Sequence, residues 1–96
     1  AKTKILIAED EPTIANNFKK AFLAKDSKLD ITIVGNTNDE KEKLKCNVFN
    51  LIIQDLNMPE SKRGPKGNDV GLNVIKYCKE NQITKKSWNL KKYKKF

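Results

Sequence analysis

Leu51-Ile52-Ile53-Gln54-Asp55-Leu56-Asn57-Met58-Pro59 decides how this chain is read. It is a short apolar run that stops at a carboxylate and then at a proline turn. A second run, Ile5-Leu6-Ile7-Ala8-Glu9-Asp10-Glu11, has the same form. Continuous apolar runs of this length suit parallel strands buried on both faces. If the two strands lie side by side, Glu9, Asp10 and Asp55 converge at one edge of a sheet. In open α/β sheets that edge, beyond the carboxyl ends of the strands, is where ligands bind.

The pattern around the two runs alternates. Lys4 to Ala8 reads as a strand. Pro12 suits the first turn of a helix whose apolar face is Ile14, Phe18 and Phe22 with Ala15 and Ala21, out to about Ala24. Leu29 to Val34 is β-branched and reads as a second strand. Gly35 to Asn38 reads as a turn, and Asp39 to Cys46 as a short, mostly solvated helix. Leu51 to Gln54 is the third strand. Residues 60–69 are a loop by composition. Val70 to Asn81 is a third helix, with Leu72 and Ile75, and also Val74 and Cys78, assigned to the sheet side. The order β-α-β-α-β-α argues for a parallel sheet with helices packed on its faces. After Gln82 no strand or helix pattern is evident.

Composition narrows the function. Ninety-six residues are the size of one domain. There is no histidine, and Cys46 and Cys78 are far apart in sequence, which argues against a thiolate or imidazole metal cluster. Both cysteines read as inert, partly buried helical thiols, with a disulfide as the alternative. No apolar run is long enough to span a membrane and no secretory signal is evident, so the expected location is cytoplasmic. The net charge of +8 is uneven: residues 1–72 carry 12 basic and 11 acidic groups, whereas residues 73–96 carry eight lysines against Glu80. That tail, with Trp88, Tyr93 and Phe96 among the lysines, offers a nucleic-acid-binding reading. Few aromatics, irregular spacing and a single arginine in the chain argue against it.

At the acidic edge, Mg2+ favours oxygen ligands and few protein groups. Three carboxylates without a cation would repel one another. Asp55, at the end of the more apolar strand, is the candidate nucleophile, because a carboxylate can attack phosphorus and form an acyl phosphate. The alternative is that these acids are merely solvated strand ends.

Taken together these residues resemble the receiver domain of bacterial two-component response regulators. Lys4 to Glu11 is similar to that family's first strand and acidic pair, matched by Glu9 and Asp10. Leu51 to Pro59 resembles its third strand, acceptor aspartate and Met-Pro turn. Gly71-Leu72 and the helix through Cys78 resemble the next segment. The match covers roughly residues 3–81, within a single receiver-like domain over residues 1–96.

The resemblance implies a flavodoxin-like, doubly wound parallel sheet with three βα units, the fourth and fifth not evident. It implies a phospho-acceptor that takes a phosphoryl group onto Asp55 from a histidine kinase or histidine phosphotransfer protein. Mg2+ would be held by Asp10, Asp55 and the backbone carbonyl of Asn57, with Glu9 acting directly or through water. Any enzymatic activity would be autocatalytic phosphoryl transfer and hydrolysis on its own aspartate.

Two departures stand against the family pattern. The segment from Glu60 to Val70 is about eight residues longer than usual and brings Lys62, Arg63 and Lys66 close to the site in sequence. The chain also ends where a fourth strand should begin. The hydroxyl and lysine that sense the phosphoryl group in the family have no matched position. The third strand is then expected to have an open edge, which would invite pairing with a second copy of the chain, a folded-back tail or further residues. The competing function is a degenerate receiver scaffold that binds a partner or itself without phosphorylation.

Overall fold

The computed structural model describes residues 2–81 and the strand at 87–89. Strands β1 (Lys4–Ala8), β2 (Asp30–Val34) and β3 (Leu51–Gln54) form a parallel sheet, with helices α1 (Pro12–Lys25) and α2 (Thr37–Cys46) in the connections. β1 is central, with β2 on one side and β3 on the other. The β-α-β-α-β reading therefore holds, and β1 and β3 have the expected bounds.

Register is pinned at both ends of the β1–β3 pair. At its start, the Lys4 amide donates to the Asn50 side chain and the Asn50 amide donates to the Lys4 carbonyl, both at 2.8 Å. Along it, Ile5 stands opposite Leu51 and Ala8 opposite Gln54. At its end, the Asp55 amide donates to the Ala8 carbonyl at 3.0 Å. On the other side the Glu9 amide does the same to Val34.

Side chains alternate across the sheet, so each strand feeds two cores. Ile5, Ile7 and Ile53 pack with Ala15 of α1, flanked by Phe18 and Phe22. Leu6, Ala8 and Ile52 pack with Leu44 of α2 and with Val74 and Cys78 of α3 (Asn68–Glu80). Helices thus cover both faces, as a doubly wound sheet requires. On α1, Ile14 is half-buried and Ala21 exposed, so the expected apolar stripe is only partly used.

Three expectations are corrected. The segment after the third strand is not simply a loop: β4 (Met58–Pro59) and β5 (Lys66–Gly67) pair antiparallel, and α3 starts at Asn68. On α3 the buried stripe is Gly71, Val74 and Cys78, while Leu72 faces solvent at 37% exposure. That stripe follows i, i+3, i+7 spacing, and Leu72 lies off it. The edge of β3 is not open, because β6 (Ser87–Asn89) pairs parallel to it from Ile52↔Ser87 to Gln54↔Asn89. This removes the free edge on which pairing of two copies was expected to rest. The rest of the tail, with its nucleic-acid reading, lies outside the described residues.

The fourth correction concerns α2. It begins at Thr37, inside the expected turn, because Asn36 caps it. The Asn36 side chain accepts from the Asp39 amide at 2.8 Å and donates to the Asp39 carboxylate at 3.0 Å. The helix is mostly solvated, as expected, but Thr37, Glu40 and Leu44 form a buried stripe along it. Burial pushes the Glu40 carboxyl from its ordinary 4.5 up to about 8, against the Gln54 side chain and Lys41, which favour the charged form. The Gln54 amide nitrogen is committed to the Asp55 carbonyl at 3.0 Å, and neither Glu40 oxygen meets hydrogen-bond geometry with a described group. A protonated Glu40 supplies a donor, and Gln54 Oε1 is an acceptor that otherwise lacks a partner among the described residues. Glu40 is therefore neutral at pH 7. Cys78 is buried on the same side, and burial followed by the Glu40 charge pushes its thiol up to about 11. Cys46 is exposed, and neither cysteine is in a disulfide.

Glu40 makes stability pH-dependent. The unfolded chain releases this proton near 4.5 and the folded chain near 8, so stability is lost as pH rises between those values. Glu40→Gln, which keeps a donor, is expected to match the parent near pH 4.5. At pH 8 it should be more stable by on the order of 4 kcal/mol, measured by urea denaturation across pH.

Candidate functional site

The acidic edge forms as the strand register dictates. Glu9 follows β1 directly, Asp10 comes next, and Asp55 follows β3. Glu9, Asp10 and Asp55 each offer a carboxylate oxygen within 4.8 Å of the others. Glu9 and Asp55 are buried and Asp10 is half-buried. Asn57 sits over Asp55: its amide donates to Asp55 Oδ1 at 3.0 Å. At the next residue, Met58 is fully buried and its amide donates to the Leu56 carbonyl at 3.0 Å, which turns the chain sharply away from the site.

The donor set fits a hard cation. Octahedral Mg2+ at 2.0–2.1 Å places its ligand oxygens about 3–4 Å apart, close to the spread of this cluster. Carboxylates are the right chemistry, and the half-buried position of Asp10 leaves one side open to water. Three like charges this close are costly without a counter-charge.

A counter-charge is present, and sequence reasoning did not single it out. The Lys66 ammonium lies 2.5 Å from Asp10 Oδ2. The hydrogen bond to Asp10, and then the charges of Asp10, Glu11 and Asp55, hold its pKa above the ordinary lysine value. Lys62, Arg63 and Lys66 are close together in sequence, and composition gives no reason to prefer one. What selects Lys66 is the β4–β5 pairing, which sets it opposite Pro59 at the mouth of the site. A cavity of about 260 Å³ opens beside this ion pair, lined also by Asn36, Asp39, Lys62 and Gly64.

The backbone behind Asp55 is fixed from α3. The Gly71 amide donates to the Leu56 carbonyl at 3.1 Å. A Cβ on Gly71 would lie 2.4 Å from the Asp55 carbonyl oxygen and 2.5 Å from Leu56 Cα. Only glycine permits this approach. Its role is legible in sequence solely as a glycine inside an otherwise regular helix.

No protein-family model matches the chain, and no curated protein matches it significantly in sequence. Solved structures do match in shape. The signal receiver domain of a protein from Vibrio parahaemolyticus designated a Luxo repressor superposes with a TM-score of 0.73 at 22% identity, covering 93% of this chain. The MaeR response regulator bound to beryllium trifluoride gives a TM-score of 0.68 at 20% identity, covering 91% of this chain. The chain has a receiver-domain fold. It spans 62% and 65% of the length of those two chains respectively.

Gly71→Ala tests the approach of α3 to this receiver fold. Alanine favours a helix over glycine by about 1 kcal/mol, but here its methyl meets backbone that no rotamer change can clear. We expect a net loss of about 2 kcal/mol in urea denaturation, with the largest amide shifts at Asp55 and Leu56.

Proposed function

We propose that this protein is a phospho-acceptor receiver module, in which Asp55 takes a phosphoryl group from a histidine kinase or histidine phosphotransfer protein. The observation that carries the reading is the convergence of Glu9, Asp10 and Asp55 from two adjacent parallel strand ends. The fold supports it, as does beryllium trifluoride, an anion held by one of the structural neighbours.

In the proposed reaction a carboxylate oxygen of Asp55 attacks phosphorus. The bond from phosphorus to the donor's imidazole nitrogen breaks, the electron pair leaves with that nitrogen, and an acyl phosphate forms on Asp55. Water later attacks the acyl phosphate and restores the carboxylate. Asp10, Asp55 and the Asn57 carbonyl would hold Mg2+, with Glu9 acting directly or through water. When bound, that ion neutralises charge on the transferring oxygens. The chain's own contribution is position. Strand register sets Asp55 against Glu9 and Asp10, and the Asn57 amide orients its carboxylate. Such a module would work in the cytoplasm. No described helix is long and apolar enough to cross a membrane.

The Lys66–Asp10 pair favours a second reading, a scaffold in which lysine has taken the place of a metal ion and no phosphoryl chemistry occurs. One experiment separates them. Incubation with Mg2+ and acetyl phosphate should add one phosphate, detected by intact mass, and Asp55→Asn should abolish it. Beryllofluoride with Mg2+ should shift amides near Asp10, Asp55 and Asn57. No adduct and no shifts would leave the scaffold reading standing.

A further inference from the structure

We propose that Lys66 is a tethered counter-cation that competes with a divalent ion for Asp10, so that occupancy of the carboxylate cluster is coupled to the position of the Lys66 ammonium. The inference rests on the reading of the cluster as a cation site.

Geometry sets the competition. The Lys66 ammonium sits on Asp10 Oδ2, an oxygen of one of the three clustered carboxylates. An ammonium held on that carboxylate offsets part of the negative charge a divalent ion would bind, and the two cations repel. Lys66 is well placed to compete because its backbone is anchored beside the site. Its backbone is paired with Pro59, which is buried, and the next residue, Gly67, leads into α3. The far side of the segment is also fixed: the Glu60 carbonyl accepts from the Asn38 amide at 2.9 Å, and Ser61 accepts from Gly64 at 3.1 Å. The ammonium is thus kept near the site at high effective concentration.

Displacement has somewhere to go. The Lys66 side chain is 43% exposed and borders the cavity that Asp39 also lines. A released ammonium can turn into that space, toward a second carboxylate, without breaking the β4–β5 pair. Because binding coupling is reciprocal, whatever divalent binding does to Lys66, Lys66 does to divalent binding.

Lys62 supplies the control. It carries the same charge and lines the same cavity, yet makes no ion pair with Asp10. Mn2+ affinity is measured on the full chain by electron paramagnetic resonance at low ionic strength, for the parent, Lys66→Met, Lys66→Arg and Lys62→Met. Lys66→Met should bind Mn2+ about five- to tenfold tighter, a gain that shrinks with added salt. Lys62→Met should change affinity less than about twofold, and Lys66→Arg should stay near the parent. In the parent, Mg2+ titration should shift the Lys66 Nζ resonance and the amides of residues 60–67. Equal gains in the Lys66 and Lys62 methionine variants, or no gain in Lys66→Met, would overturn the competition while leaving the cation site intact. Absence of Mn2+ binding in every variant, Lys66→Met included, would instead overturn the cation-site reading itself. Circular dichroism on each variant verifies folding, and Lys66→Arg keeps the comparison usable if the methionine variant does not fold.

Discussion

Ala8 and Gln54 stand opposite one another in the parallel pair of β1 and β3, and the next residue of each strand opens the acidic site. Everything at the sheet edge depends on that register. The Lys4–Asn50 exchange holds it at the start and the Asp55 amide at the end. A slip of β3 by one residue would turn Ile52 out of one core and Ile53 out of the other. It would also separate the three carboxylates. The apolar cores and the candidate site are therefore specified by the same hydrogen bonds.

Two carboxylates near β3 solve the problem of burial in opposite ways. Glu40 is fully buried, and burial outweighs the Lys41 charge beside it, so it keeps its proton. Asp10, at the open end of the sheet, meets an ammonium instead. Gln54 stands between the two environments, facing Glu40 with one end of its amide group and holding the Asp55 carbonyl with the other. Polar groups buried at such a position tend to fix one arrangement when every member finds a partner.

The parts of the fold legible in sequence are those whose signal is local and repeated. The β1 and β3 runs are continuous and apolar, so their bounds read directly, and the carboxylates that end them follow. What sequence hid was long-range. Nothing in Thr-Asn-Asp-Glu-Lys indicates that Glu40 is buried, because its environment comes from β3 and α3. Lys66 looks like Lys62 until β4 and β5 pair. Leu72 outranks Gly71 in hydrophobicity, yet Gly71 takes the buried place because α3 approaches too closely for a larger residue. The strand at Ser87–Asn89 is only three residues long, too short for alternation to register.

That close approach of α3 has a mechanical side. Most helices lie on a sheet through a layer of side chains, which can adopt other rotamers and absorb small movements of the strand beneath. At Gly71 the layer is missing, and helix backbone rests on the peptide that carries the Asp55 side chain. The contact is stiff. No side-chain layer stands between the Asp55–Leu56 peptide and α3, and the hydrogen bond from Gly71 ties the two together. One glycine thus sets helix backbone directly against the backbone of residues 55 and 56.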